Sequence, residues 1–436
     1  MTGTSTGSAA LVNARVFDGT GSPVQEEAGV IIKDAKVHAV GPMRGLRLPD
    51  DARIIDLEGR TVLPGLIDAH THVTYHAGEY GLLLQQMNES LEFNAIKAAE
   101  NATAILATGC TAVGDGGCRG QIGVATREAV KKGVIDGPKI VAAGQMLCGS
   151  SGIQDHTAAW GYYDDTAFLG TVVNGPQEVR TAVRKQVRSG VDWVKVTASG
   201  TPGNAWIGGR TQDLNLEEMR AAVEEARKFG KLVHAHAHDP QGLRDAVEAG
   251  VVSLHSGEFA DQEGLQRMKE TGCVFLATIA WLDFRTEDHY VERYLRSYEA
   301  TAEDRARFID ECAEAYEAAR EAIVLAYRLG TPLGIGTDAA HVFPPYDIAH
   351  EMDYHQRLGV GPRDVLRAAT LGSATALGRQ DQWGSLEPGK AADLLVVNGR
   401  PDEDVTVLRA KDRIEVIMQD GRLVKDALPV TASNVT

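Results

Sequence analysis

Short apolar runs broken by Gly and Asp-Gly turns open and close this chain, and longer apolar–polar cycles fill the middle. Residues 10–17 (ALVNARVF) read as a strand ending at the turn Asp18-Gly19, and residues 29–41 read as a hairpin. The same pattern returns at 392–397 and at 414–424, the latter turning at Asp420-Gly421. We expect the two ends to meet in one small β-sandwich domain, built from residues 1–64 and 384–436. Between them, residues 65–383 alternate strand-like and helix-like segments. The strands are the run ending at His70, then Ala112-Val113, Lys139–Ala143, Trp193–Val196, Leu232–His236, Val252–His255, Val274–Ala277 and Leu333–Gly336. Eight β/α units over about 300 residues fit an α/β fold of the (β/α)8 TIM-barrel kind, whose active site lies at the strand C-termini. An open doubly wound sheet is the alternative, but no G-x-G-x-x-G follows the first strand to support it.

The candidate chemistry sits at those strand ends. Residues 62–72 (VLPGLIDAHTH) finish an apolar run with two histidines one residue apart. Side chains at i and i+2 of a strand point the same way, so His70 and His72 aim two imidazoles at one point, as a metal site requires. A pair of surface histidines at a strand end is the bland alternative. Lys195 falls in the fourth strand; His234, His236 and His238 fall on the fifth, all of one parity. His255 ends the sixth and Asp338 the eighth. Polar residues converging from separate strands on one barrel mouth carry more weight than any one of them.

A lysine held among apolar strand residues loses hydration of its charge, so its pKa falls. Neutral Lys195 can then add carbon dioxide. The resulting carbamate carries two oxygens and a negative charge, suited to bridging two divalent cations. The alternative is a lysine that snorkels to the rim or pairs with an acid.

On these segments, together with residues 190–196 (GVDWVKV), 233–238 (VHAHAH), 336–338 (GTD) and 386–394 (LEPGKAADL), the chain resembles the amidohydrolase superfamily, in its imidazolonepropionase-like and dipeptidase-like branch. The likeness runs from about Val12 to Val424. It implies a hydrolase of carbon–nitrogen amide bonds that uses two divalent cations, zinc first and manganese or iron as alternatives. His70, His72 and Asp338 correspond to ligands of the more buried metal, His236 and His255 to ligands of the second, and carbamylated Lys195 to the bridge. Asp338 is then also the general base and acid. His234 reads as a hydrogen-bonded interior residue. Two departures stand out. His255 lies five residues after Gly250 where the family places its histidine six after, and Ser256 holds that place; a bulge or a shortened turn must restore it. Gly114 stands where relatives commonly carry arginine.

Loops choose the substrate in such folds. In the loop 147–156, His156 is a candidate to polarise the scissile carbonyl. His238 and His341 are expected to face substrate. Arg210 reads either as a bidentate carboxylate binder or as a solvated surface residue. Dipeptides, N-acyl amino acids, cyclic amides or a peptide natural-product precursor are the implied substrates. A ring deaminase of the same superfamily and a non-catalytic scaffold are the other readings; Lys195 argues against the first and the near-complete ligand set against the second.

Composition narrows the partners. A formal charge of −16 argues against nucleic acid and anionic membranes. No apolar run approaches the roughly 18 residues of a membrane span, and the first eight residues lack signal-peptide features. Five cysteines, an odd number with no C-x-x-C pair, read as reduced thiols of a cytoplasmic protein. A homo-oligomer is expected, as is usual for such barrels.

Overall fold

The computed structural model describes residues 8–75, 89–156, 168–202, 210–287, 291–292, 301–339 and 347–429. The N-terminal part gives five strands: β1 (Ala9–Val16), β2 (Gln25–Lys33), β3 (Lys36–Pro42), β4 (Arg53–Asp56) and β5 (Thr61–Pro64). Gly65 then separates two sheets. A Cβ there would lie 2.1 Å from the Thr111 hydroxyl oxygen, so only glycine lets the chain pass.

The middle alternates strands with helices. The strands are β6 (Leu66–Thr71), β7 (Cys110–Asp115), β8 (Lys139–Ala142), β9 (Met146–Cys148), β10 (Gly170–Val172), β11 (Trp193–Thr197), β12 (Leu232–Ala237), β13 (Ser253–Ser256) and β14 (Val274–Leu276). All pair in parallel: β6-β7-β8 in one sheet and β10-β9-β11-β12-β13-β14 in another. Helices cover the outer faces, and their ends follow local rules. The helix Pro240–Ala249 starts at Asp239, whose carboxylate accepts the Gly242 N–H, and stops at Gly250 with φ +96°.

The expected eighth strand is the one that departs most. Residues 333–336 form no regular strand; Leu333 bridges Phe275 of β14, Ala339 beyond the segment bridges Thr71 of β6, and backbone bonds complete both contacts. The Gly334 N–H donates to Phe275 O at 3.0 Å, and the Ala69 N–H donates to Ile335 O at 2.9 Å. The segment is squeezed: a Cβ on Gly334 would come 2.5 Å from Leu276 Cδ2, and one on Gly336 would come 2.5 Å from His70 Cβ. On the other flank, the Asp192 N–H donates to Ala142 O at 2.8 Å and the Trp193 indole N–H to Val141 O at 2.8 Å, linking β8 to β11. A second difference is β9. The segment from Leu147 was expected to be loop; Met146–Cys148 is buried and pairs with β10 and β11, because Gly144 (φ +75°) turns the chain back onto the sheet.

The chain ends in β15 (Leu394–Val397), β16 (Ile414–Gln419) and β17 (Arg422–Asp426). These join β1–β5 in a single eight-stranded sheet of order β17-β16-β15-β5-β1-β2-β3, with β4 beside β1. The two ends do meet, but the hydrogen bonding is continuous rather than split into two sheets. Antiparallel β15–β5 pairing is the seam. The conspicuous Ala392-Asp393-Leu394 gains its reason here. Asp393 O accepts the Gly65 N–H, its carboxylate binds Lys139 Nζ at 2.5 Å, and it accepts the Asp420 N–H at 2.8 Å. One buried acid thus ties the terminal sheet to β8. The cysteines Cys110, Cys118, Cys148, Cys273 and Cys312 are all buried and outside any disulfide. Among the described residues no helix is long and apolar enough to cross a membrane.

Candidate metal centre

His70, His72 and Asp338 converge at the C-terminal ends of β6 and the 333–339 segment, with one ligand atom of each inside a 4.8 Å cluster. Asp68 sets this up. Its parity is that of His70 and His72, and it is fully buried. One carboxylate oxygen accepts the N–H groups of His70 (3.2 Å) and Thr337 (3.1 Å), and the other accepts the Thr337 hydroxyl (2.6 Å). The turn carrying Asp338 is therefore locked against β6. Asp338 itself has φ +54°, a left-handed conformation held by its N–H donating to His70 O at 2.7 Å.

The arrangement of the cluster suits a cation. The His72 Nδ1–H donates to Gly117 O at 2.7 Å, which leaves the lone pair on Nε2. That Nε2 faces Asp338 Oδ1 at 3.0 Å, and His70 Nε2 lies 3.5 Å from the same oxygen. Two lone pairs, of His72 Nε2 and Asp338 Oδ1, meet at one point with His70 Nε2 beside them, an arrangement that a bound cation satisfies. Burial, reinforced by the charge of Lys195, holds His70 well below the usual histidine range, so a proton is disfavoured there. His70 Nδ1 is also buried without a hydrogen-bond partner. Gly116 leaves room at the rings: a Cβ there would sit 2.8 Å from His70 Cδ2. Tyr75 stacks on His72 at 4.2 Å. The residues present fit a divalent cation.

Lys195, His236 and His255 surround this cluster without belonging to its tight core. Lys195 is 0% exposed, and burial pulls its amine well below the usual lysine range, against a smaller opposing pull from Asp338. Its Nζ lies 2.5 Å from His255 Nδ1. His255 points inward, its ring 4.2 Å from that of His70 and its Nε2 bonded to Ser253 at 3.0 Å. Registers explain the direction. Lys195 pairs with His234 and His234 with Ser253, while Thr197 pairs with His236 and His236 with His255, so all six share the interior face. The β12–β13 pairing has no bulge. The short connection after Gly250 absorbs the missing residue, and Ser256 ends the strand at φ +76°. His234 lies one layer deeper, bonded to Ser253 at 2.6 Å and packed on Trp193 at 3.6 Å.

His236 and His238 share the Thr201 hydroxyl, each Nε2 3.3 Å from it. His238 Nδ1 is hydrogen-bonded to the buried carboxyl of Glu258. Burial, helped by the Arg285 charge, lowers His238 to about 3, and burial raises Glu258 to about 8. His156 packs on Phe168 at 5.4 Å and is lowered by burial to about 4; it stands outside the ligand cluster. Its loop is organised by Asp213, which accepts the N–H groups of Gly149 (2.7 Å) and Ile153 (3.0 Å). Arg210 is drawn to the surface, paired with Glu314 and stacked on Phe259 at 4.4 Å. His341 lies outside the described residues. Gly114 has a steric reason: a Cβ would meet Ala69 O and Leu377 Cδ2, both at 2.6 Å, so no larger residue fits. Asp68, Glu258 and Thr201 were missed. Asp68 was legible from its parity with the two histidines; the other two come from loops whose placement is tertiary.

Comparison with known proteins agrees with this geometry. Ochratoxinase from Aspergillus niger is 26% identical over 433 residues, covering 94% of this chain and 85% of that protein. Imidazolonepropionase from Symbiobacterium thermophilum is 23% identical, covering 90% of this chain and 89% of that one. The crystal structure of a Xaa-Pro dipeptidase with methionine in its active site superposes with a TM-score of 0.83 at 28% identity, covering 96% of this chain and 100% of that chain. The model of the amidohydrolase family matches residues 61–424, so the chain belongs to that family and is a hydrolase of carbon–nitrogen bonds.

Proposed function

We propose that this protein hydrolyses the amide bond of a small substrate, a dipeptide or N-acyl amino acid, at a centre held by His70, His72 and Asp338. The meeting of His72 Nε2 and His70 Nε2 at Asp338 Oδ1 carries the reading. The names of the relatives, an ochratoxinase and a Xaa-Pro dipeptidase, support an amide substrate. A bound divalent cation supplies Lewis acidity and a water acidic enough to attack at neutral pH. Zinc suits the His/carboxylate set best, with manganese or iron(II) as alternatives.

The chain's own residues do the rest. Asp338 accepts a proton from the attacking water and returns it to the nitrogen as the C–N bond breaks. Tyr75 and Gly117 fix the His72 ring. The depressed Lys195 amine supports carbamylation: the N–C bond to carbon dioxide forms and a proton is released. The carbamate, His236 and His255 would then hold a second cation, with His255 exchanging its contact to the free amine. The backbone bonds that join 332–339 to β14 and β6, and Asp192 to Ala142, support a closed (β/α)8 barrel over 65–383.

The test is hydrolysis of a panel of dipeptides, N-acyl amino acids and lactams by zinc- or manganese-loaded protein, alongside Asp338→Asn. The variant should fold and lose about 10²- to 10⁴-fold in kcat. Retention of most of the rate rejects Asp338 as the proton carrier.

A further inference from the structure

β12 and β13 end side by side, and the residues just beyond them form a pair. β12 stops at Ala237, so His238 stands one step past His236 toward the mouth, with the two rings 4.4 Å apart. β13 stops at Ser256, and there Ser256 and Gly257 take successive left-handed conformations, φ +76° and +77°. Only glycine fits the second place, since a Cβ would lie 2.4 Å from Phe275 Cε2. This turn sets Glu258 against the His238 ring, with Oε2 hydrogen-bonded to Nδ1. The backbone on both sides is fixed. The His238 N–H donates to Ser199 Oγ at 2.7 Å, the Phe259 N–H to His238 O at 3.2 Å, and the Gly257 N–H to Ala237 O at 2.8 Å. Both side chains are buried.

With Nδ1 occupied, Nε2 is the ring atom that His238 presents to the site. It lies 3.3 Å from the Thr201 hydroxyl, which is also 3.3 Å from His236 Nε2. A hydroxyl has one hydrogen to give, so Thr201 donates to one of these nitrogens and accepts from the other. His236 needs a lone pair to hold a cation, which leaves the hydrogen on His238 Nε2. His238 Nδ1 is then an acceptor, and Glu258 donates to it as a neutral acid. The surroundings of Glu258 agree. Its Oε1 is buried with no hydrogen-bond partner among the described residues, which costs less for the carbonyl oxygen of an acid than for a carboxylate. Burial also holds this carboxyl up at about 8.

We propose that His238 donates its Nε2–H to the oxygen of the scissile carbonyl, and that Glu258 is the positioning residue that holds the ring for it. The substrate oxygen takes the acceptor place of the Thr201 hydroxyl. As water adds to the carbon, the C=O π pair moves onto that oxygen and the hydrogen bond strengthens, with no proton transferred. This rests on the amide-hydrolase reading above, and the two can fail separately. Nitrogen NMR of metal-free protein labelled on histidine, with His238→Gln assigning the signal, should find a neutral ring with its hydrogen on Nε2. A hydrogen on Nδ1 overturns the proposal without any turnover. On the best substrate of the panel, His238→Phe should lower kcat by on the order of 10²- to 10³-fold with KM nearly unchanged. His238→Gln, whose amide N–H reaches the same place, should recover part of that loss. Glu258→Leu should lower kcat about tenfold, and Glu258→Gln should recover most of it through its amide N–H. Melting temperatures report whether each variant folds. A His238→Phe kcat within a few-fold of wild type, or a loss carried by KM alone, overturns His238 as the donor. Wild-type kcat in Glu258→Leu overturns the positioning role, whereas failure of the whole panel to react with wild type overturns the hydrolase reading.

Discussion

Asp68 is the residue whose loss should separate the architecture of the centre from its chemistry. It touches no substrate, yet it accepts three buried hydrogen bonds, from His70 N–H, Thr337 N–H and the Thr337 hydroxyl. Asp68→Ala strips the acceptor from all three donors at a site with no solvent access. Each buried donor left unsatisfied costs about 1–3 kcal/mol, and partial relaxation brings the total to roughly 3–5 kcal/mol. That is a large part of the roughly 5–15 kcal/mol that holds a domain folded. Asp68→Asn keeps one oxygen for the two N–H groups and sets an amide against a hydroxyl that can rotate to accept, so it should cost about 1 kcal/mol. The turn bearing Asp338 loses its lock in the alanine variant, and zinc affinity should fall on the order of 10- to 100-fold. Calorimetric unfolding of the metal-free proteins and competitive zinc titration measure the two effects. An alanine variant as stable as the asparagine variant, with wild-type zinc affinity, would refute the assignment of Asp68 as the lock.

Two further outcomes follow from burial and packing. His238 sits near 3 when folded against an ordinary 6.5, and His70, His234, His236 and His255 are likewise held low by burial. A depressed base is neutral in the fold and charged in the unfolded chain, so the stability of metal-free protein is intact above about pH 6.5 and falls below it, by up to ~1.4 kcal/mol per pH unit per histidine. A melting temperature unchanged between pH 7 and 5 would contradict this. Gly114→Ala drives a methyl to 2.6 Å from Ala69 O and Leu377 Cδ2. It should destabilise by about 1–3 kcal/mol, measured by denaturant unfolding, and a neutral substitution would show that β7 has room to shift.

The placement of the strand-end side chains was legible in the chain because side-chain period on a strand is fixed by the backbone. His70 and His72, one residue apart, had to share a face, and Lys195 in an apolar run had to lose hydration wherever the strand lay. The same period made β6–β8 and β11–β14 readable, and the matching β-rich ends foretold a shared terminal sheet. The eighth segment was harder. Its glycines fit it between His70 and Leu276 without a regular ladder, which local pattern alone does not reveal.

What the sequence could not decide is what distance along the chain conceals. His255 appeared one residue out of place, and only the bulge-free register between β12 and β13 showed that it faces Lys195. Arg210 and Arg285 were equally cationic in the sequence. The fold gave the first to Glu314 at the surface and buried the second against the Trp281 and Phe308 rings. Residue type and spacing determine which groups can do chemistry; burial and partners brought from remote segments determine which of them will.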